Sequence, residues 1–330
     1  MSGAARVVIH LPGRYLNDYE KPAHLALYPR LIRAIEARGG RAMVALREEA
    51  QTAGGTLPGD GDLHVVESGW VTGPGWLSAA VAYLPGYWHL GPDGILGDGP
   101  AGRRPCTPEE IPAAEALSTY ARLRAQFARA RRSRYKQARG REHLPRDAIA
   151  VCLQGNEPHR RGQAYLSNVE MLRAVIRAAG ARPVLVKGHP LNPQVAGALL
   201  TQMAGEIAAS GVRVHETSAN IHDLLAQSAV NVSINSATAL EGMLHGRPAI
   251  VCGRTDYAGL VETVRDPAEF PAALLRALST PRDWARAVTW YFTRNCLWIE
   301  GPHFERDLLA VLSAAGFPPE RLGLGPRRRG

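Results

Sequence analysis

The strongest constraint on this chain is an alternation in its second half. Short apolar runs, "AIAVC", "PVLVK", "VRVHE", "AVNVSI" and "PAIVCG", recur between amphipathic stretches such as "YLSNVEMLRAVIRAAG", residues 193–210, "NIHDLLAQS" and "ATALEGMLHG". Strand, helix, strand at this spacing predicts a doubly wound α/β unit with a parallel sheet. The first half carries the pattern more weakly. "RVVIHLPG" reads as a strand closed by Pro12-Gly13, and 22–38 as a helix with Leu25, Tyr28, Leu31, Ile32 and Ile35 on one face. "RAMVAL", "LHVVES" and "AVAYLPGYWHLG" follow as three further strands. A chain of 330 residues accommodates two such units. The expected boundaries are 1–115, a basic helical connection at 116–146, a second α/β unit at 147–280, and C-terminal helices with a basic tail at 281–330. The last four residues, "RRRG", are expected to be a frayed end.

The formal net charge is +9, yet only Lys21, Lys136 and Lys187 among the 39 basic residues are lysines. So arginine-weighted a balance can follow genome composition and does not establish nucleic-acid binding. It is compatible with anionic ligands or a membrane surface. Much of it lies in "ARLRAQFARARRSRYKQARGREHLP", closed by Pro145. A solvated basic helix accounts for that segment, and peripheral contact with an anionic glycolipid or membrane is the sharper alternative. It lacks the aromatic interleaving of single-strand binders, so no nucleic-acid partner is expected. Cys106, Cys152, Cys252 and Cys296 form no metal-like pair, which favours a reducing compartment. With no signal-like or spanning apolar run, the expected location is cytoplasmic, with peripheral contact at the inner membrane face as the variant.

Two motifs are set aside. "GDGPAG" has dinucleotide spacing, but Pro100, Pro105 and Pro108 deny it the helix that the fingerprint requires. Asp60-Gly-Asp62 resembles an acid pair for a metal-bound nucleotide, but a turn before a strand explains it. No metal site is expected.

Three strand ends carry the chemistry. After "AVNVSI" come Asn235, Ser236, Thr238 and Glu241, at the edge where parallel sheets place ligands. Thr238 and Glu241 have capping-box spacing, and Gly246 suits a helix stop; this bland account leaves Asn235 and Ser236 unexplained. A helix start with two hydroxyls could hold a phosphate, and Glu241 could accept from ribose. In "PVLVKGHP", Lys187 and His189 leave another strand, with Gly188 permitting close approach. Gln154 stands after the first strand of this half.

These residues resemble the capsule polysaccharide biosynthesis family of GT-B-type glycosyltransferases. The shared features are Gln154, the Lys187-x-His189-Pro190 turn, and Asn235-Ser236-x-Thr238-x-x-Glu241 followed by Gly246-x-Pro248. The resemblance covers mainly 148–260. It implies an α/β fold of two Rossmann-like domains facing across a cleft, and a nucleotide-sugar donor as substrate with no separate cofactor. It also implies a CMP-activated acidic sugar, such as Kdo or a sialic acid, moved to a polysaccharide or lipid-linked glycan acceptor. By position, His189 and Ser236 would contact phosphate, Glu241 would hold ribose, and Gln154 would face the donor. Lys187, Asn235 and Thr238 complete the donor set.

The first half matches less firmly. Asp18 is the first choice of catalytic base, followed by Glu20 and His24, with His89 and Asp93 as rivals. An exposed Asn-Asp turn explains Asp18 equally well. The competing function is a non-catalytic GT-B component of a polysaccharide assembly or export complex.

Overall fold

The computed structural model describes residues 3–326, so the expectation for "RRRG" lies outside the described residues. The chain divides into two compact units, Met1–Arg103 with Phe292–Gly330, and Arg104–Tyr291. Each is built on a six-stranded sheet.

In the first unit β1 (Val7–Leu11), β2 (Ala42–Leu46), β3 (Leu63–Glu67) and β4 (Trp76–Val81) are parallel. Helix α1 (Leu27–Glu36) connects β1 to β2 and buries Tyr28, Leu31 and Ile35, three of the apolar face expected from its spacing. "AVAYLPGYWHLG" is not one strand. The chain reverses after β4 and returns antiparallel as β5 (Tyr87–Gly91). Tyr83 and Gly86 both take positive φ in that reversal, on either side of Leu84-Pro85.

The second unit opens with α2 (Ala113–Leu123), which widens into a π-helical turn at 124–129. The helix expected over 116–146 ends there. Arg131 has φ +53°, and 132–146 runs on without helix. This segment packs onto the second unit: Phe127 and Leu144 are buried, and the Tyr120 hydroxyl donates to the Met243 carbonyl. Six parallel strands follow: β6 (Ala148–Cys152), β7 (Val184–Lys187), β8 (Val214–Glu216), β9 (Ser228–Ser233), β10 (Ala249–Val251) and β11 (Glu262–Thr263). Between them lie α3 (Glu157–Arg160), α4 (Asn168–Ala178), α5 (Val195–Gln202), α6 (Ala204–Ser210), α7 (Ile221–Gln227) and α8 (Thr238–Met243). The single helix expected over 193–210 is thus two, broken at Met203, whose side chain is buried. Helices α9 (Phe270–Ser279) and α10 (Trp284–Arg294) close the unit.

After α10 the chain rejoins the first sheet. β12 (Leu297–Trp298) pairs antiparallel with β5, and α11 (Phe304–Ala314) contributes Leu308 and Leu312 to the core that holds Ile9 and Leu31. The segment expected at 281–330 therefore divides: 281–291 belong to the second unit, and 292–326 add apolar side chains such as Leu297, Leu308 and Leu312 to the core of the first.

Strand order is β12-β5-β4-β3-β1-β2 in one sheet and β11-β10-β9-β6-β7-β8 in the other. In each, the connections leave the first strand in opposite directions, giving switch points between β1 and β3 and between β6 and β9. Open α/β sheets bind ligands outside the carboxyl ends of such strand pairs.

Candidate functional site

At the β6/β9 switch point the two strand ends are locked together. The Gln154 side-chain amide donates to Asn235 Oδ1 (2.9 Å), and its carbonyl oxygen accepts from the Asn235 backbone N–H (2.7 Å). Asn235 Nδ2 reaches Gln163 Oε1 and the Arg254 carbonyl. Gln154 and Asn235 are thus committed to shaping the turn between β9 and α8, whereas the resemblance had Gln154 facing the donor.

That turn delivers Ser236, Thr238 and Glu241 to a pocket of about 60 Å³, lined also by Cys152, Lys187, His189 and Ser133–Tyr135. The expected capping box does not form. Ala237 is the N-cap without a side-chain bond, and Ser236 Oγ instead accepts from the Thr238 N–H at 3.3 Å. Glu241 turns inward and is 1% exposed. Gly242 lets α8 lie so close to β9 that a Cβ there would meet Asn231 Nδ2 at 2.4 Å.

The pocket floor is chemically unsettled. Thr238 Oγ1, beside the Cys152 thiol, and Glu241 Oε1 are buried without a conventional hydrogen-bond partner. Burial pushes the Glu241 carboxyl up to about 7, although the Ser133 hydroxyl favours its ionised form. Burial likewise pushes the Cys152 thiol up to about 11. His222 Nε2 lies 4.0 Å from Glu241 Oε1. Burial lowers the pKa of His222 as well, so this is a contact between two groups that both resist charge and not an ion pair. His222 Nε2 is 2.6 Å from the Arg132 carbonyl, which can only accept, so Nε2 carries the proton. Nδ1 then accepts from His245 Nε2 at 3.0 Å.

On the β7 side, His189 Nδ1 accepts from the Leu191 N–H, which leaves Nε2–H as the donor of the neutral ring. Burial lowers the pKa of this imidazole, with Arg134 adding to the shift. Lys187 is less available than its position promised. Its ammonium donates to the Ala219 (2.7 Å) and Ser218 (3.3 Å) carbonyls and ties down the loop before α7. Gly188 also has a different reason from the one expected: a Cβ there would strike the Pro193 carbonyl oxygen at 2.2 Å, so the close approach is within its own loop.

The roof of the pocket was missed from the sequence. Residues 131–137 form a strap without helix or strand, whose exposure alternates residue by residue. Arg131, Ser133, Tyr135 and Gln137 form the half-buried row. Arg131 pairs with Asp223 through two bonds (3.0 and 2.5 Å), and Gln137 Oε1 accepts from the Ile221 N–H. The Tyr135 ring meets His189 edge to face at 5.2 Å. Asn220 Nδ2 holds the Arg131 and Ala138 carbonyls. The signal was present as "RSRYKQ", but period-two polarity is hard to see where both rows are polar.

The residues expected from the first half belong to the first unit. Asp18, Glu20 and His24 all lie exposed in the turns after β1. Asp18 pairs with Lys21 at 2.6 Å, and His24 meets the Tyr15 ring. Of the rivals, His89 is buried and accepts from the Leu96 N–H, with burial pushing its pKa down to about 3; it is a structural residue. Asp93 is exposed and 3.8 Å from Arg103. Glu67, at the carboxyl end of β3 beside the β1/β3 switch point, was passed over. It accepts from Arg47 (2.7 Å) and the Ser68 hydroxyl (2.7 Å). Asp60 and Asp62 are engaged by His64 and Arg6 within the turn, as the turn reading expected. "GDGPAG" forms 3₁₀ turns and no α-helix.

The family model described as capsule polysaccharide biosynthesis protein matches residues 115–269, from α2 through the strap and pocket to the segment before α9. Two solved structures of KpsC from Thermosulfurimonas dismutans are similar to the chain. The beta Kdo 2,4 transferase is 17% identical over 87% of this chain and 90% of its own, with a TM-score of 0.50. The beta Kdo 2,7 transferase is 14% identical over 94% and 99%, also with a TM-score of 0.50. At such identities the likeness is one of fold, and it agrees with the two Rossmann-like sheets of the GT-B class. No curated protein matches the sequence. Among the described residues, no helix of the chain is long and apolar enough to cross a membrane.

Proposed function

We propose that this chain is a glycosyltransferase of capsule or surface polysaccharide synthesis that takes a CMP-activated acidic sugar in the second unit's pocket. The acceptor is a polysaccharide or lipid-linked glycan. The observation that carries this reading is the pocket floor, where the Glu241 Oε1 atom and the Thr238 hydroxyl are buried at the β6/β9 switch point without conventional partners. Leaving such groups unpaired costs on the order of 1–3 kcal/mol each, so a ligand that pairs them gains affinity. Glu241 accepts from ribose hydroxyls. His189 Nε2–H and the Ser236 hydroxyl reach one phosphate. A monophosphate leaving group carries less charge than a diphosphate, and a neutral imidazole and a hydroxyl suit it better.

The enclosed 60 Å³ is small beside the roughly 300–1,000 Å³ of ordinary ligand sites. Donor entry therefore displaces the strap, releasing Ser133 from Glu241 and Tyr135 from His189. On the acceptor side Asp18 takes the hydroxyl proton. Its exposed pair with Lys21 is weakly held, whereas Glu67 is occupied by Arg47 and Ser68.

A thermal-shift screen of the full chain with CMP, UDP and GDP tests the donor half. CMP is expected to raise the melting temperature, and His189→Ala to remove the shift. No shift with any nucleotide at saturating concentration refutes the reading. Nucleotide binding without transfer to any glycan acceptor favours the non-catalytic alternative.

A further inference from the structure

The strap has a second row of side chains, of which only Arg134 also lines the donor pocket. Its outward row is Arg132, Arg134 and Lys136, with Arg139 beyond; all four are exposed. Among the described residues, none of these side chains pairs with an acid, although they crowd into eight residues. The segment 130–139 and Asn220 enclose an open bowl of about 450 Å³, and the bowl's lining contains no acidic side chain.

A solvated basic loop would be expected to spread its charges. This one is held by other groups: Arg131 on Asp223 and on the Arg139 and Gly140 carbonyls, Asn220 on two strap carbonyls, His222 on the Arg132 carbonyl, and Gln137 on α7. The cations of the outer row take no part in the anchoring, and the anchoring keeps them together. The segment curls back on itself, with one Asn220 amide reaching both the Arg131 and the Ala138 carbonyls, so the exposed cations stand close together on a single loop. Beside the strap, the turn that carries His189 in contact with Tyr135 raises Leu191, which is 74% exposed. A row of cations flanked by an exposed aliphatic tip is the chemistry of a peripheral contact with an anionic bilayer.

We propose that the outer row of the strap, with Leu191, docks this protein on an anionic lipid surface. Combined with the donor reading above, docking here would bring the donor pocket's roof to the surface that carries a lipid-linked acceptor. The contact itself stands without that reading, because it requires no nucleotide.

The test is co-sedimentation of the full chain with vesicles of phosphatidylcholine alone or mixed with phosphatidylglycerol, at low and high salt. Binding is expected only with phosphatidylglycerol, weakening as salt screens the charges. Arg132→Gln, Lys136→Gln and Arg139→Gln together leave the pocket lining intact. At about 1 kcal/mol per basic residue near such a surface, they should cut partitioning roughly a hundredfold with little change in melting temperature. Leu191→Ser should lower it further. Equal binding to neutral vesicles, no binding by the wild type, or a triple variant that binds undiminished each overturns the proposal. So does competition by inorganic pyrophosphate at constant ionic strength that abolishes vesicle binding, since the bowl would then hold a free phosphate. Loss of the nucleotide response with vesicle binding retained would defeat the donor reading and leave this one standing.

Discussion

Glu241→Gln separates the cost of the pocket from its use. The wild-type carboxyl is buried and titrates at about 7, against an ordinary value of 4.5. Because the folded-state value is the higher one, the folded state binds the extra proton between those limits. Stability is therefore lost as pH rises from 4.5 to 7 and does not return above it. A rise of about 2.5 pH units at 1.36 kcal/mol each gives about 3 kcal/mol, an order-of-magnitude figure for a fully buried group. Glutamine has the same shape and no charge. At pH 5 the variant and wild type should melt together. At pH 8.5 the variant should be more stable by up to about 3 kcal/mol, or roughly 6–12 °C for a unit of this size. The assay is thermal unfolding of both proteins across pH 5–8.5, read as the difference so that other titrating groups cancel. Melting curves that stay parallel over the whole range refute the buried, partner-poor carboxyl. The variant should meanwhile lose most of its response to CMP, which would make Glu241 a residue kept at a cost to stability.

Four further outcomes follow from the same geometry. Gln154→Ala removes two bonds to Asn235 and should lower stability by about 1–3 kcal/mol in urea unfolding, weakening nucleotide binding through the misplaced turn. Asp223→Asn loosens the Arg131 anchor; limited trypsin digestion should cut within 131–141 several-fold faster, and CMP should change that rate. Ser236→Ala should weaken CMP binding about tenfold in calorimetry while leaving the melting temperature of the free protein nearly unchanged, because its hydroxyl holds only a 3.3 Å bond. Asp18→Asn should abolish transfer and spare CMP binding; transfer rates that match the wild type would remove Asp18 from the mechanism.

The second sheet was legible because each of its strands is a short apolar run bounded by a turn, and periodicity reports burial directly. The first was less so. Its edge is completed by Leu297 and Trp298, about two hundred residues after β5, and no local pattern announces a pairing so distant in sequence. Helix propensity misled over 130–146, where tertiary bonds from Asn220, His222 and Asp223 hold the start of the segment in a non-helical loop. At the site, sequence put Ser236, Thr238, Glu241 and His189 at one sheet edge, and they line one pocket, because strand ends of one parallel sheet share an edge. It misjudged Lys187 and Gln154 because their partners, the Ala219 carbonyl and Asn235, are set by loop packing. Likewise, capping-box spacing at Thr238 and Glu241 says nothing about which way the carboxylate turns. Burial against α7 decided that, and it converted an expected helix cap into the acid of a pocket.

The most direct measurement is calorimetric titration of CMP into the wild-type chain and into Glu241→Gln and His189→Ala. Saturable one-to-one binding by the wild type, weakened at least tenfold in each variant, is the predicted result. Binding that is absent in the wild type, or equal in all three proteins, would show that the groups gathered between β6 and β9 do not serve a nucleotide.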